Sequence, residues 1–194
     1  MPTDSRKRCS WPATPDPLYL EYHDVEWGTP SFDDRHLYEM LVLESMQSGL
    51  SWITILKKRE SFREAFKNFE IEAVAKFNEK KVEQLLADPG IIRNRAKIVA
   101  AIANAKAAAK VIKEKGSLSD FLWETVGGKA RQNQWKSGGD IPAQSEQSQE
   151  LAKRLKAHGF KFLGPTTCYA FMQAVGMVND HLVTCFRHRE VASK

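Results

Sequence analysis

One carboxylate and two thiol–imidazole pairs are the residues of this chain best suited to chemistry. Glu44 follows Leu37, Met40 and Leu41 at offsets of 0, 3, 4 and 7, so it continues the apolar face of a helix. A carboxylate turned into a core is costly unless something there hydrogen-bonds it. Trp11, Tyr19, Tyr22, Trp27 and Trp52 crowd the same part of the chain. An acid among aromatic rings suits a flat, electron-poor ligand that donates hydrogen bonds. The competing readings are a core glutamate paired with an arginine or a backbone N–H, and one turned out to water.

His181 and Cys185 are four residues apart, which on a helix places both on one face. Cys9 and His23 would complete a tetrahedral Cys2His2 set. Zinc suits such mixed thiolate and imidazole donors, and four protein ligands leave no open position for catalysis. A site of this kind would clamp the two ends of the chain together. The order Cys, His, His, Cys lacks the tight pairs of a zinc finger, so two buried thiols and two ordinary histidines are the alternative. Cys168, in an apolar stretch with Ala170, Phe171 and Val175, reads as a core thiol.

Two loops have a nucleic-acid character. Gly159-Phe-Lys-Phe-Leu-Gly164-Pro-Thr-Thr167 lies between two helical stretches. A glycine-containing turn against a helix N-terminus offers backbone N–H groups to a phosphate, as helix-hairpin-helix elements do. Gly164, Thr166 and Thr167 would supply the contacts, the threonines through their hydroxyls, with Asp88-Pro-Gly90-Ile-Ile92 a rival for the role. In Gln47-Ser-Gly-Leu-Ser-Trp52, Gly49 makes a tight turn and Leu50 stands beside the aromatic set, where it fills the gap left by a flipped base or folds back onto the core.

These residues need helices to hold them. Helical patterns run over 16–27, 33–48, 52–58, 61–69, 71–76, 79–86, 93–113, 118–126, 146–158 and 164–176. Residues 127–145, rich in Gly, Gln and Ser, read as a surface crossover, and no strand pair is evident. The expected class is all-α and two-lobed: one lobe combines both chain ends (about 1–30 and 127–194), and the other is a helical lobe of about 31–126.

With 194 residues, 42% hydrophobic and 27% charged, the composition is that of a globular protein with one substantial core or two small lobes. No apolar run approaches a membrane span, and residues 1–8 lack the apolar stretch of a signal peptide. Three scattered cysteines form no disulfide framework, which points to a reducing compartment, the cytoplasm. No apolar surface stripe demands a partner, so a monomer is expected. A net charge of +5 and a pI near 9.1 are compatible with a polyanion. Basic residues cluster at Lys57–Arg59, at Arg93, Arg95 and Lys97, and at Lys153, Arg154, Lys156 and Lys161. Each cluster is either a solvated helix face or a phosphate contact.

Taken together, Asp16-Pro-Leu-Tyr-Leu, Tyr22-His-Asp24, Glu26-Trp-Gly28, Leu43-Glu44, Gly49 to Arg59, Gly159 to Gly164 and Asn179-Asp-His181 resemble the DNA-3-methyladenine glycosylase I family from Cys9 to Cys185. The resemblance implies a helix-hairpin-helix glycosylase that hydrolyses the N-glycosidic bond of 3-methyladenine in alkylated double-stranded DNA. It implies a structural zinc on Cys9, His23, His181 and Cys185, and a base pocket of Glu44, Tyr22, Trp27 and Trp52. Glu44 would recognise the base and contribute to catalysis through its field. The wider superfamily carries a catalytic aspartate after the hairpin; Asn179 stands there, and Asp180, one position later, is expected to point elsewhere. Thr166 occupies the position of the lysine nucleophile of bifunctional members, which implies a glycosylase without strand cleavage. Phe162 replaces the first hairpin glycine, with Lys161 available to compensate.

Two other functions fit parts of the pattern. A non-catalytic helix-hairpin-helix DNA-binding module would treat the aromatic cluster as core. A zinc-dependent hydrolase would hold its metal on three protein ligands and a water.

Overall fold

A computed structural model describes residues 6–12 and 16–192. Ten α-helices carry these residues: α1 (Pro17–Glu21), α2 (Asp34–Gln47), α3 (Trp52–Ala65), α4 (Ile71–Val74), α5 (Glu79–Ala87), α6 (Arg95–Lys115), α7 (Leu118–Trp123), α8 (Glu146–Ala157), α9 (Pro165–Ala174) and α10 (Phe186–Ala192). The class is all-α, as the periodicity implies.

The ends of these helices follow local chemistry. Asp16, Asp33, Asn78, Asn94, Ser117 and Ser145 each accept a backbone N–H of the first turn, which satisfies donors the helix cannot. Helix α2 is sheathed on all sides, with every residue from Leu37 to Met46 buried. It is the central rod, packed against α3, α6, α7 and α9. After α1 the chain widens into one π-helical turn over Tyr22–Glu26, closed by the Trp27 N–H donating to the Tyr22 carbonyl at 2.9 Å. Such turns recur at functional sites because they re-aim side chains.

Several boundaries differ from the pattern. Ser61 does not start a new helix: α3 runs unbroken through it to Ala65, carrying Arg59 and Phe62 on its buried side. The 127–145 crossover does contain a strand, β1 (Arg131–Gln132), paired in parallel with β2 (Val178–Asn179). His181 and Cys185 lie in a turn between β2 and α10 rather than on a helix. The segment after the π turn presses closely on the end of α9. Gly28 N–H donates to the Gln173 carbonyl and Ser31 N–H to that of Val175. A Cβ on Gly176, whose φ is +73°, would lie 2.4 Å from the Thr29 and Pro30 backbone.

Candidate active site and metal centre

The π turn points its residues in two directions. On one side His23 meets Cys9, His181 and Cys185, all buried, with ligand atoms within 4.8 Å of one another. Cys185 Sγ lies 3.6 Å from His23 Nε2 and 3.6 Å from His181 Nδ1, and Cys9 Sγ lies 3.6 Å from the same Nδ1. Tetrahedral zinc with ordinary Zn–S and Zn–N bonds separates sulfur from nitrogen by about 3.6 Å, so the spacing fits an ion.

The surrounding groups fix the tautomers. His181 Nε2–H donates to the Trp27 carbonyl at 2.9 Å, and His23 Nδ1–H to Asp24 at 2.7 Å, leaving His181 Nδ1 and His23 Nε2 as donors toward an ion. Arg8 in turn holds Asp24. The hydrogen bond from Cys9 lowers the pKa of Cys185 against the effect of burial, and the two imidazoles add to it. That same bond, with burial, raises Cys9. An ion bound between them would displace the thiol protons. An ion held by all four buried ligand residues would have no position open for a catalytic water, which counts against the zinc-hydrolase reading.

On the other side of the turn, Tyr22 and Trp27 wall a cavity of about 390 Å³. Trp11, Tyr19, Glu44, Gln47 and Trp52 complete the aromatic side. Trp11 packs on Trp27 and Tyr19 with ring centroids 4.9 Å and 5.1 Å apart, and Tyr22 on Trp52 at 5.4 Å. Glu44 is buried here and has no hydrogen bond or ion pair to another described residue. Burial alone pushes its pKa up to about 8. Burial, with the Glu44 charge adding to it, raises Tyr22 well above the usual phenol value, so its O–H stays protonated. The competing readings of Glu44, a core pairing with an arginine or a backbone N–H and a solvent-facing side chain, do not match this geometry.

A family description, methyladenine glycosylase, matches residues 11–188. DNA-3-methyladenine glycosylase 1 of Escherichia coli (strain K12) is 48% identical over 179 residues, 92% of this chain and 95% of that protein. The chain belongs to the methyladenine glycosylase family. A crystal structure of 3-methyladenine DNA glycosylase I superposes with a TM-score of 0.91 at 49% identity, over 93% of this chain and 98% of that one. A variant of 3-methyladenine DNA glycosylase I, solved in complex with 3-methyladenine, gives a TM-score of 0.89 at 40% identity, over 92% and 96% of the two chains.

In this methyladenine glycosylase the far wall of the cavity comes from α9 and the crossover: Thr166, Tyr169, Ala170 and Gln173, with Gly138 and Ile141 to Ala143. None of these wall residues is in the pocket expected from the sequence, which assigns Thr166 to phosphate contact instead. Behind that wall Asp180 is fully buried. Its Oδ1 accepts from Asn133 and Trp135, and its Oδ2 from Tyr169 and Gln173, each at 2.7 Å. Asp180 thus does not enter the cavity; it braces two of the wall residues from behind. Asn179 does not reach the cavity. Its amide donates to Gln132 and the His188 carbonyl, and its oxygen accepts from His181 N–H.

The loops differ in exposure. Leu50 and Gly49 stand exposed between α2 and α3, and Gly49 takes φ +85°. In the hairpin Lys161, Phe162, Gly164 and Thr166 are exposed, Thr167 is half-buried, and Phe162 adopts φ +59°, the left-handed conformation a glycine would take there. Much of the expected basic surface is otherwise engaged. Arg59 is buried between Glu26 and Glu39, Lys57 pairs with Asp16, and Lys58 donates to the Pro89 and Gly90 carbonyls. Arg95 pairs with Glu79 and Glu83, Arg154 with Glu124, and Lys97 is buried. Lys153, Lys156 and Lys161 remain exposed.

Proposed function

We propose that this chain is a DNA repair glycosylase that hydrolyses the N-glycosidic bond of 3-methyladenine in alkylated double-stranded DNA. The observation that carries the reading is Glu44, a buried acid without a protein partner inside an aromatic cavity. Methylation at N3 makes the purine cationic and weakens its bond to the sugar. Burial keeps an isolated Glu44 largely protonated near neutral pH; a cation entering the cavity favours its carboxylate. A neutral adenine offers no such compensation, so the charge pair selects the damaged base. Trp52 stacks on the everted purine, Tyr22 and Trp27 wall it, and Glu44 accepts from its exocyclic amine. Glu44 also favours departure of the base through its field, and water completes the hydrolysis. Among the described residues no lysine lines the cavity, which supports a monofunctional enzyme that forms no Schiff base and cuts no strand.

Gly49, Leu50, Lys161, Gly164, Thr166 and Thr167 form the duplex contact in this reading. Leu50 fills the vacated stack, and the hairpin amides meet phosphates. The lobe of about 1–30 and 127–194 meets the lobe of about 31–126 at the cavity. The enzyme acts as a monomer in the cytoplasm. No helix of the described residues is long and apolar enough to cross a membrane.

Incubation with methylated DNA, followed by chromatography of the released bases, tests the activity. Wild type should release 3-methyladenine, and Glu44→Ala should release it far more slowly and bind the free base weakly. Equal release and binding by the variant would remove the pocket assignment.

Cys9, His23, His181 and Cys185 hold one structural Zn2+, which ties the chain ends together and takes no part in the bond cleavage. Elemental analysis should find about one equivalent. Chelation should lower Tm, by an amount equivalent to about 4 kcal/mol if free zinc otherwise stands near 1,000 times Kd. A metal-free protein of unchanged Tm would end the assignment.

A further inference from the structure

Helix α6 touches both exposed loops through buried polar side chains. Lys97 Nζ donates to the Met46 carbonyl at 3.0 Å and to the Ser48 carbonyl at 2.7 Å, at the point where α2 gives way to the Gly49–Leu50 turn. These carbonyls are among the acceptors a helix end leaves over, and a cation there also meets the negative end of the helix dipole. Asn104 closes a two-way clamp on the hairpin: its Oδ1 accepts the Lys161 N–H at 2.7 Å, and its Nδ2 donates to the Lys161 carbonyl at 3.1 Å.

The two residues are buried and seven apart on one helix, hence on one face. That interval spans about 10 Å of helix axis, close to three base-pair steps. Leu50 and Phe162, the large apolar side chains next to the two anchors, remain exposed, and neither Lys97 nor Asn104 lines the cavity.

We propose that Lys97 and Asn104 are positioning residues for duplex engagement, with α6 acting as the spacer that holds the Leu50 turn and the 159–164 hairpin at a fixed separation along the DNA. This rests on the assignment of those two loops to duplex contact. Both anchors act through loop backbone, so they set where the loops stand while their side chains stay free to meet DNA. A lysine buried on carbonyls at one end and an asparagine amide at the other hold two separate segments to one rigid rod.

The test uses Lys97→Met and Asn104→Ser in the full chain, with Leu50→Ala as reference. KM for alkylated duplex should rise about tenfold in each positioning variant, while affinity for free 3-methyladenine stays within twofold of wild type. Amides of residues 48–51 should exchange faster in Lys97→Met, and those of 159–164 in Asn104→Ser. Lys97→Arg, which keeps a cation and several donors, should recover most of the duplex KM. If Leu50→Ala weakens duplex binding but both positioning variants match wild type, the spacer role is wrong and the loop assignment survives. If Leu50→Ala has no effect either, the loop assignment itself fails. Loss of free-base affinity in step with duplex affinity would overturn the proposal in favour of general support of the fold. Should Lys97→Met not fold, Asn104→Ser and its exchange pattern decide the matter alone.

Discussion

Helix α2 carries two buried glutamates five residues apart, and the fold treats them in opposite ways. Glu39 accepts from Arg59 Nε at 2.7 Å and Arg63 Nε at 2.9 Å, while the rest of the Arg59 guanidinium is taken by Glu26. Burial opposes ionisation of Glu39, but the two arginines outweigh it and hold its pKa below the usual carboxylate range. Burial likewise opposes the Arg59 cation, and Glu26 and Glu39 outweigh it. Glu44 receives no such help, and its pKa rises to about 8. One end of the helix thus holds a charge neutralised within the protein. The other holds an acid that lines the cavity with no partner among the described residues. Burial of a carboxylate alone does not mark a site; burial without a counter-ion, beside a cavity, does.

The largest effect should come from breaking the satisfied end. Arg59→Leu leaves Glu39 and Glu26 without their main partner and should cost about 3–5 kcal/mol in denaturant unfolding. A loss under about 1 kcal/mol would mean that water replaces the guanidinium there.

Next in size, Glu44→Gln should slow excision about 100-fold, the scale of removing one well-placed electrostatic contact from a closed site. Measured on alkylated duplex at saturation, a change below threefold would reduce Glu44 to a shape contact.

The smallest effect, taken per unit of pH, is a stability slope. The native state of Glu44 retains its proton from about pH 4.5, where the unfolded chain releases it, up to about pH 8. Across that window the native state binds more protons, so stability falls as pH rises, at no more than about 1.4 kcal/mol per pH unit. Glu44→Gln lacks that slope, and the difference between the two unfolding curves should widen toward pH 8 and then level off. Parallel curves would show that Glu44 ionises normally in the free protein.

How far the sequence carried this reading varied from residue to residue. The inward direction of Glu44 was legible because helical periodicity determines which face a side chain joins. The Cys9, His23, His181 and Cys185 set was one candidate from donor types, which the resemblance singled out, but its local structure was not legible: His181 and Cys185 meet in a turn, a case in which a four-residue spacing suggested a helix that does not exist. Ser61 looked like a helix start, yet Phe62 and Ala65 continue the buried face of α3 and carry the helix past it. The β1–β2 pair is two residues long on each side, too short for any alternation to register. Arg59 and Lys97 fitted a solvated face or a phosphate contact, and neither holds, because a cation's local context does not reveal acceptors 20 to 51 residues away in the chain. The bracing role of Asp180 was hidden for the same reason: Asn133 and Trp135 reach it across β1–β2 pairing that composition does not announce.

Gly176 sets a tolerance for the whole site. Even a methyl group there would collide with the backbone of Thr29 and Pro30 and force that segment away from α9. Trp27, two residues upstream of Thr29, supplies both a ring to the recess and the carbonyl that orients His181. Recess and thiol–imidazole cluster therefore lean on one short stretch of chain, and a shift of either would be felt by the other through a gap only a hydrogen atom can occupy.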